Sequence, residues 1–477
     1  METMGDKKGC VRFFRENVRK KLLFPIFVCI MIVIRPAGDR PHTVKQKELV
    51  KMKLTKEQRD ILKGSRGDAM ARVMKTLTMY GQIFGADRLV PITSKYSHLE
   101  TSCGLKTMTP FYELLQRLIN DGVVSEKRFT VGPRPIDKNM PVNFWQRLYP
   151  KKSIYSEQEK YEAQLKQLGL AGNGAFTCTC YLDQVGNKPK KGDVLSWAEP
   201  SAVVYANSVL GARCNRNAPT MDLMCAVAGV VPNFGLLTDE GRKAKWIVKV
   251  RATKQPDAHL LGAAIGAKVM GDVPYITGMK KWLGTELTEA VCGYLKDLGA
   301  AAAAAGPLGL YHVEELTPEA KEQGAALIRE NCKVYVIDDG ELERIQKSYP
   351  VLWKRKSAKP ELCFVGCPHL SLRQLINWTL KVERALQDAN RKKIYIPTVM
   401  TAAPGVIRSF NETEYAERLK NTGVVLSHAC PLMYMNYPFN RSLRVITPSN
   451  KLRTCSTARF YPEEEILRMI TKGGKVT

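Results

Sequence analysis

Between Trp197 and Arg216 the chain reads WAEPSAVVYANSVLGARCNR. Small residues (Ala198, Ser201, Ala202, Ala206, Ser208, Gly211, Ala212) stand there among groups able to hold an anion: Glu199, Asn207, Ser208, Arg213, Asn215 and Arg216. A run this rich in Ala, Ser and Gly lets the backbone approach a ligand or another surface closely. Two arginines beside it can bind carboxylate or phosphate with paired hydrogen bonds. A well-packed helix start would carry the same residues. A second pattern lies further along. Cys367, in Gly366-Cys367-Pro368-His369, and Cys430, in His428-Ala429-Cys430-Pro431, each follow an apolar strand, the position where α/β proteins place functional groups. Proline after each cysteine fixes the turn and removes a competing backbone donor. The C-x-C spacing of Cys178 and Cys180 does not match the paired C-x(2–4)-C units of zinc sites.

The elements that must position these groups alternate. Helical spacing of Ile61, Leu62, Met70, Val73, Met74 and Leu77 predicts a helix over 57–83, followed by a strand over 86–92. Helices over 111–121 and 157–168 end at Gly122 and Gly169, with a strand over 123–131 between them. A strand over 246–251, a Gly/Ala-rich helix over 259–270 and a helix over 286–298 come next. The run Ala300–Ala305 lies between glycines; alanine is the best helix former and permits tight packing. Strands over 333–337 and 362–365 each precede a helix, 340–348 and 371–386, and a strand over 393–399, a helix over 412–420 and a strand over 424–427 continue the pattern. Strand–helix alternation predicts an α/β protein with parallel layers. Three parts are expected: an amino-terminal extension over 1–52, a first catalytic part over 53–325, and a carboxy-terminal α/β part over 326–477 that carries the two Cys-Pro pairs.

With 477 residues, 44% of them hydrophobic, the chain has room for one large or two medium domains. Its 13 cysteines show no secreted-type spacing and, being odd in number, cannot all pair. Reduced thiols in a cytoplasmic protein fit better than a disulfide framework. The net charge of +27 suits a lysine-rich soluble surface, an anionic small-molecule substrate, an acidic partner or nucleic acid. Basic residues are scattered rather than interleaved with aromatics, and no nucleic-acid-binding module is recognisable, so specific nucleic-acid binding is not expected. Residues 1–52 join a basic run to the apolar stretch Leu22–Ile34, which is shorter than the about 20 residues needed to span a bilayer. No small-x-small cleavage site follows it. The segment reads as an upstream extension, with a membrane or organelle address as the lesser reading.

The Trp197–Arg216 segment closely resembles the WAESSAV…ANSVLGARTNR signature of the aconitase X family of hydro-lyases. The resemblance begins at LTKEQRDILKGSRG (Leu54–Gly67) and continues in the family's order through GADRLVPI (Gly85–Ile92), FTCTCYL (Phe176–Leu182) and LGAAAAAAGPLGLYHVEELTPEA (Leu298–Ala320). It ends with GCPHLSL (Gly366–Leu372), LSHACPL (Leu426–Leu432) and TPSNKLRT (Thr447–Thr454). It implies an aconitase-like, multi-layer parallel α/β architecture and the dehydration of a hydroxy-acid resembling 5-phosphomevalonate or cis-3-hydroxy-L-proline. Such a reaction must remove a poorly acidic carbon proton and expel hydroxide, which an iron with an open coordination site can accept as a Lewis acid.

Carried over residue by residue, the resemblance implies Cys103, Cys367 and Cys430 as ligands of an iron–sulfur cluster. Cys178 stands in reserve, and a two-cysteine cluster or a mononuclear iron are the alternatives. His98, Glu199 and His312 would be catalytic. Ser201, Asn207, Ser208, Arg213, Asn215, Arg216, Ser449 and Lys451 would bind substrate, and His369 is a further hydrogen-bonding candidate. Nothing after residue 455 resembles the family's swivelling small domain with its serine-rich loop, so a large subunit completed by a small partner subunit is implied. Departures from the family pattern are Cys180, Pro200, Cys214 and Pro448. They leave open a catalytically inactive member that serves as an iron-binding or scaffold subunit.

Overall fold

The computed structural model describes residues 52–100, 103–140, 154–172, 174–437 and 440–473. Apart from Met52, the extension expected over 1–52 lies outside the described residues.

The single helix expected over 57–83 forms as two, Lys56–Leu62 and Gly67–Ile83, broken by the glycine-bearing turn between them. The first is closed by a capping box in which Thr55 and Gln58 satisfy each other's backbone N–H groups. Helices Thr109–Asn120, Gln158–Leu168 and Pro219–Ala228 pack around a first core that includes Met74, Leu77, Phe129 and Phe176. The short parallel strands Ser97–Leu99 and Phe129–Val131 run through this core, with His98 opposite Thr130.

Two larger sheets follow, each wholly parallel. The first contains Ala244–Val250, Pro274–Thr277, His312–Val313 and Ile328–Ile337. Counted in chain order these four strands lie side by side as 3-2-1-4. The strand Ile328–Ile337 pairs with Ala244–Val250, so this sheet continues past residue 325. Its covering helices, Ala258–Val269 and Glu289–Ala305, approach so closely that a Cβ on Gly266 would stand 2.2 Å from the Ala302 carbonyl oxygen. The alanine run therefore extends the second helix to Ala305, beyond the expected end at 298, and serves as its contact face.

The second sheet contains Leu362–Leu370, Thr398–Ala402, Val425–Ser427, Val445–Thr447 and Arg459–Phe460. In chain order these lie as 3-2-1-4-5. The strand Leu362–Leu370 is buried along its whole length, as a central strand covered on both faces must be. The helix expected over 412–420 forms as Tyr415–Asn421, and a further helix, Pro404–Asn411, precedes it. No helix among the described residues is long and apolar enough to cross a membrane.

Candidate active site

In a sheet ordered 3-2-1-4-5 the connections from strands 1 and 4 leave toward opposite faces, and a crevice opens at their carboxyl ends. Here those strands are Leu362–Leu370 and Val445–Thr447. The first delivers Cys367 and the second leads directly into Ser449 and Lys451. Gly366 has φ +104°, and a Cβ there would stand 2.5 Å from the Thr401 carbonyl oxygen, so only glycine fits beside Cys367. Ser449 caps the helix Asn450–Cys455 and donates its hydroxyl to the Cys367 carbonyl oxygen, tying the two strand ends together. Cys430 occupies the N-cap of the helix Pro431–Asn436, and its N–H donates to the Arg134 carbonyl oxygen at 2.9 Å. The loop before it is held by Asp137, which accepts from Ser427 Oγ at 2.9 Å and from the His428 N–H at 3.0 Å.

Above this crevice lies the start of the helix Pro200–Ser208. Its N-cap is Glu199, whose carboxylate accepts from the Ser201 N–H at 3.1 Å. Lys451 Nζ donates to Glu199 Oε1, and to Ser201 Oγ at 3.0 Å. Burial would raise the Glu199 carboxyl's pKa, but Lys451 and Ser201 outweigh it and hold the group below its ordinary value. Burial likewise opposes the charge on Lys451, and Glu199 reverses it, keeping the ammonium protonated well above the usual lysine range. The result is a buried, ionised pair. Pro200 sits in the first turn of the helix, where its missing N–H costs nothing, so this departure from the family pattern leaves the pair intact.

His98 reaches the same region from the short strand Ser97–Leu99. It brackets Trp197: the His98 N–H donates to the Ser196 carbonyl oxygen at 3.1 Å, and its own carbonyl accepts from Ala198 at 2.9 Å. Nδ1 lies 2.8 Å from Thr130 Oγ1, which also accepts from Asn187 Nδ2 at 3.0 Å. Nε2 is buried without a hydrogen-bond partner among the described residues. Burial depresses the His98 pKa to about 4, with the nearby Glu199 and Lys451 charges pulling in opposite directions. The ring is therefore neutral. His369 is also neutral, pushed down to about 3 by burial. Its Nδ1 meets Thr177 Oγ1 at 3.0 Å and its backbone N–H donates to Cys178 Sγ at 3.3 Å.

Three thiols border the Lys451–Glu199 pair. Burial pushes Cys367 and Cys178 above the ordinary thiol range and Cys430 up to about 12, while the Lys451 charge works against the rise in all three. Cys103 is buried on the side facing Tyr112, whose hydroxyl donates to the Cys103 carbonyl oxygen at 3.0 Å. Its thiol shares the neighbour Tyr155 with Cys430. Among the described residues no three His, Cys, Asp or Glu side chains stand close enough together to hold a single metal ion. As donors, soft thiols beside a fixed cation fit a thiolate-held iron–sulfur cluster.

The remaining candidates gather elsewhere, at the other end of the helix Pro200–Ser208, about 10 Å away at 1.5 Å per residue. Arg242, 1% exposed, pairs with Glu319 through Nε at 2.7 Å and Nη2 at 2.9 Å. Arg242 also donates to Asn207 Oδ1 and to the Asn207 carbonyl oxygen, both at 3.1 Å. Asn207 Nδ2 is spent on the Cys214 and Gly309 carbonyls, Ser208 Oγ accepts from the Tyr311 N–H, and His312 Nε2 meets the Arg242 carbonyl oxygen. Asn215 holds the Phe234–Leu236 turn, Arg213 reaches Leu237 and Asp239, and Arg216 donates to the Gly306 carbonyl. These polar groups are satisfied by protein partners. Cys214 belongs to this end too, so its departure from the family pattern does not touch the Lys451–Glu199 pair.

One residue of the site escapes sequence reasoning. Lys296, 2% exposed, donates to the His369 carbonyl oxygen at 2.9 Å and pairs with Asp297 at 3.2 Å. Its signal is the one lysine of the helix Glu289–Ala305, beside Asp297 and just before the alanine run. At the corresponding strand ends of the first sheet, exposed Asp339 accepts from the Thr253 N–H at 3.1 and 3.2 Å.

Comparison with known proteins follows the same outline. Residues 51–240 match the aconitase X first domain and residues 244–347 the aconitase X second domain. The chain is 32% identical over 388 residues to the phosphomevalonate dehydratase large subunit of Thermococcus kodakarensis, covering 80% of this chain and 89% of that one. It is 25% identical to the cis-3-hydroxy-L-proline dehydratase of Pseudomonas aeruginosa, covering 77% of this chain and 59% of that one. The crystal structure of Thermococcus kodakaraensis aconitase X in its holo-form superposes with a TM-score of 0.72 at 29% identity, covering 88% of this chain and all of that one. With its matching domains, its parallel α/β layers and the resemblance carried by Trp197–Arg216, the chain belongs to the aconitase X family.

Proposed function

We propose that this chain is the large subunit of an iron-dependent hydro-lyase that removes water from an anionic hydroxy-acid, with a small subunit completing the active site. Its class is that of its relatives, the carbon–oxygen lyases that act as dehydratases. A 5-phosphomevalonate-like substrate is favoured over a cis-3-hydroxy-L-proline-like one by two facts. The relatives named large subunit are matched over most of their length, whereas the hydroxyproline dehydratase is matched over 59%. The net charge of +27 also favours a more highly charged anion.

The observation that carries the reading is the buried Lys451–Glu199–Ser201 group at the sheet's switch point, beside three thiols. Glu199, kept ionised at neutral pH, is a carboxylate able to accept the carbon proton, and Ser201 fixes its orientation. Lys451 stabilises that carboxylate and has further protons for an anionic substrate. Neutral His98 offers its unpartnered Nε2 as a hydrogen-bonding group. Lys296 holds the turn after Cys367 in place. His312 is left outside this assignment, since its ring faces the Arg242 carbonyl oxygen and Glu319. An iron–sulfur cluster held by Cys367 and Cys430, with Cys103 or Cys178 as third ligand, would supply the Lewis acid for the departing hydroxyl.

The test is iron and acid-labile sulfide per chain after anaerobic co-purification with the small subunit, followed by turnover of 5-phosphomevalonate and of cis-3-hydroxy-L-proline. Iron with sulfide and turnover of the phosphorylated acid support the reading. Iron without sulfide points to a mononuclear site, and a protein with neither iron nor turnover overturns it.

A further inference from the structure

We infer that a cluster of cations at the amino-terminal ends of the second sheet is a docking surface for an acidic segment of a partner protein. Lys354, Arg355, Lys356 and Lys359 are exposed on the loop that precedes the strand Leu362–Leu370. Two further strands bring cations to the same loop. Arg459 Nη1 donates to the Lys356 carbonyl oxygen at 2.8 Å, and Arg444 Nε to the Lys359 carbonyl oxygen at 2.7 Å. Arg441 is tied in through Thr457, which donates to its carbonyl and accepts from the Trp353 indole. Among the described residues only Arg444 has a carboxylate partner, Glu361 at 2.7 Å. Lys354, Arg355, Lys356 and Lys359 thus stand exposed with no carboxylate partner among the described residues, and a complementary anionic surface supplies one.

This surface is not part of the substrate site. Leu362 opens the strand and Cys367 lies five residues on, about 17 Å away at ~3.3 Å per residue, at the opposite end of the sheet. The kind of anion is set by the apolar groups. Arg459 lies 5.2 Å from the ring centroids of both Trp353 and Tyr461, and both rings are buried. The patch therefore offers no open aromatic face on which bases could stack. It does offer Leu352, 58% exposed beside Trp353 and the cations. A nucleic-acid backbone has no use for that side chain, whereas a protein segment carrying carboxylates and an apolar residue covers both.

Three fluorescent probes titrated against the full chain test this: a peptide alternating glutamate and leucine, an all-glutamate peptide of equal charge, and a single-stranded uridine RNA. The glutamate–leucine peptide is expected to bind most tightly and to weaken with salt. The triple variant Lys354→Glu, Arg355→Glu, Lys356→Glu should lower its affinity roughly tenfold or more. Leu352→Ser should weaken that peptide and leave the all-glutamate peptide unchanged. All four side chains are exposed, and circular dichroism verifies that the variants keep their fold. Failure of the glutamate–leucine peptide to bind, insensitivity to the charge reversal, or tighter binding of the RNA overturns the assignment.

Discussion

Lys451 and Glu199, 252 residues apart in the chain, form an ion pair whose side chains are 12% and 7% exposed. The pair joins the start of the helix Pro200–Ser208 to the end of the strand Val445–Thr447, so the contact between two core layers and the candidate catalytic group are one structure. Removing one member strands the other charge away from water. Lys451→Met or Glu199→Gln is expected to destabilise the fold by about 3–5 kcal/mol. The double variant should cost clearly less than the sum, because no lone charge remains. Urea unfolding of the four proteins measures this, and strictly additive costs would show that the two groups are not coupled.

His98 makes stability depend on pH. Its folded-state pKa of about 4 lies below the ordinary 6.5, so between these values the unfolded chain binds the proton that the folded chain refuses. Stability is therefore full above about pH 6.5 and is lost as pH falls toward about 4. Glu199, with its depressed pKa, acts in the same direction at lower pH. Urea midpoints at about pH 7 and about pH 5 should differ in the wild type, and His98→Gln should reduce the difference. An unchanged slope in that variant would mean that His98 titrates normally.

Much of this architecture is legible in the residues, for stated reasons. Apolar strands followed by a Cys-Pro pair single out Cys367 and Cys430 before any contact is known, whereas Ser449 and Lys451 are reached through the family resemblance and His98 sits on a strand of three residues with no such turn. The Trp197–Arg216 segment is harder. Its polar residues sit on one short helix and its exit loop, and spacing alone does not say that Glu199 and Ser201 face the crevice while Asn207 faces Arg242 and Ser208 the Tyr311 N–H. That division depends on Arg242 and Glu319, which are 77 residues apart in the chain. Lys296 is hidden for the opposite reason: its partner is the His369 main chain, which leaves no side-chain pattern to detect.

The second network predicts a different phenotype from the first. Arg242→Met leaves Glu319 buried without its cation and should cost about 3–5 kcal/mol. Arg213 pairs with Asp239, whose side chain is 86% exposed, so Arg213→Ala should cost no more than about 1 kcal/mol. Its Michaelis constant should stay close to wild type if the residue lies outside the substrate site. Steady-state kinetics beside thermal melts separates these outcomes, and a large rise in the Michaelis constant with an unchanged melt would return Arg213 to the pocket.

The thiols can be ranked by what each alanine substitution removes. Cys367→Ala and Cys430→Ala replace small side chains in the crevice, the first buried and the second half-buried, so each should leave a folded chain while abolishing bound iron and sulfide. Cys103→Ala and Cys178→Ala then identify the third ligand, since only the ligand's loss should lower the iron content to the same level. Cys178 already accepts a hydrogen bond from the His369 N–H and shares the Lys451 charge with Cys367 and Cys430, whereas Cys103 approaches from the Tyr155 side. Iron and sulfide analysis of the four anaerobically purified variants, read beside their melting temperatures, distinguishes lost ligation from lost structure. Full iron in Cys367→Ala or in Cys430→Ala would remove that cysteine from the cluster, and with it the placement of the reacting hydroxyl at the carboxyl ends of these strands.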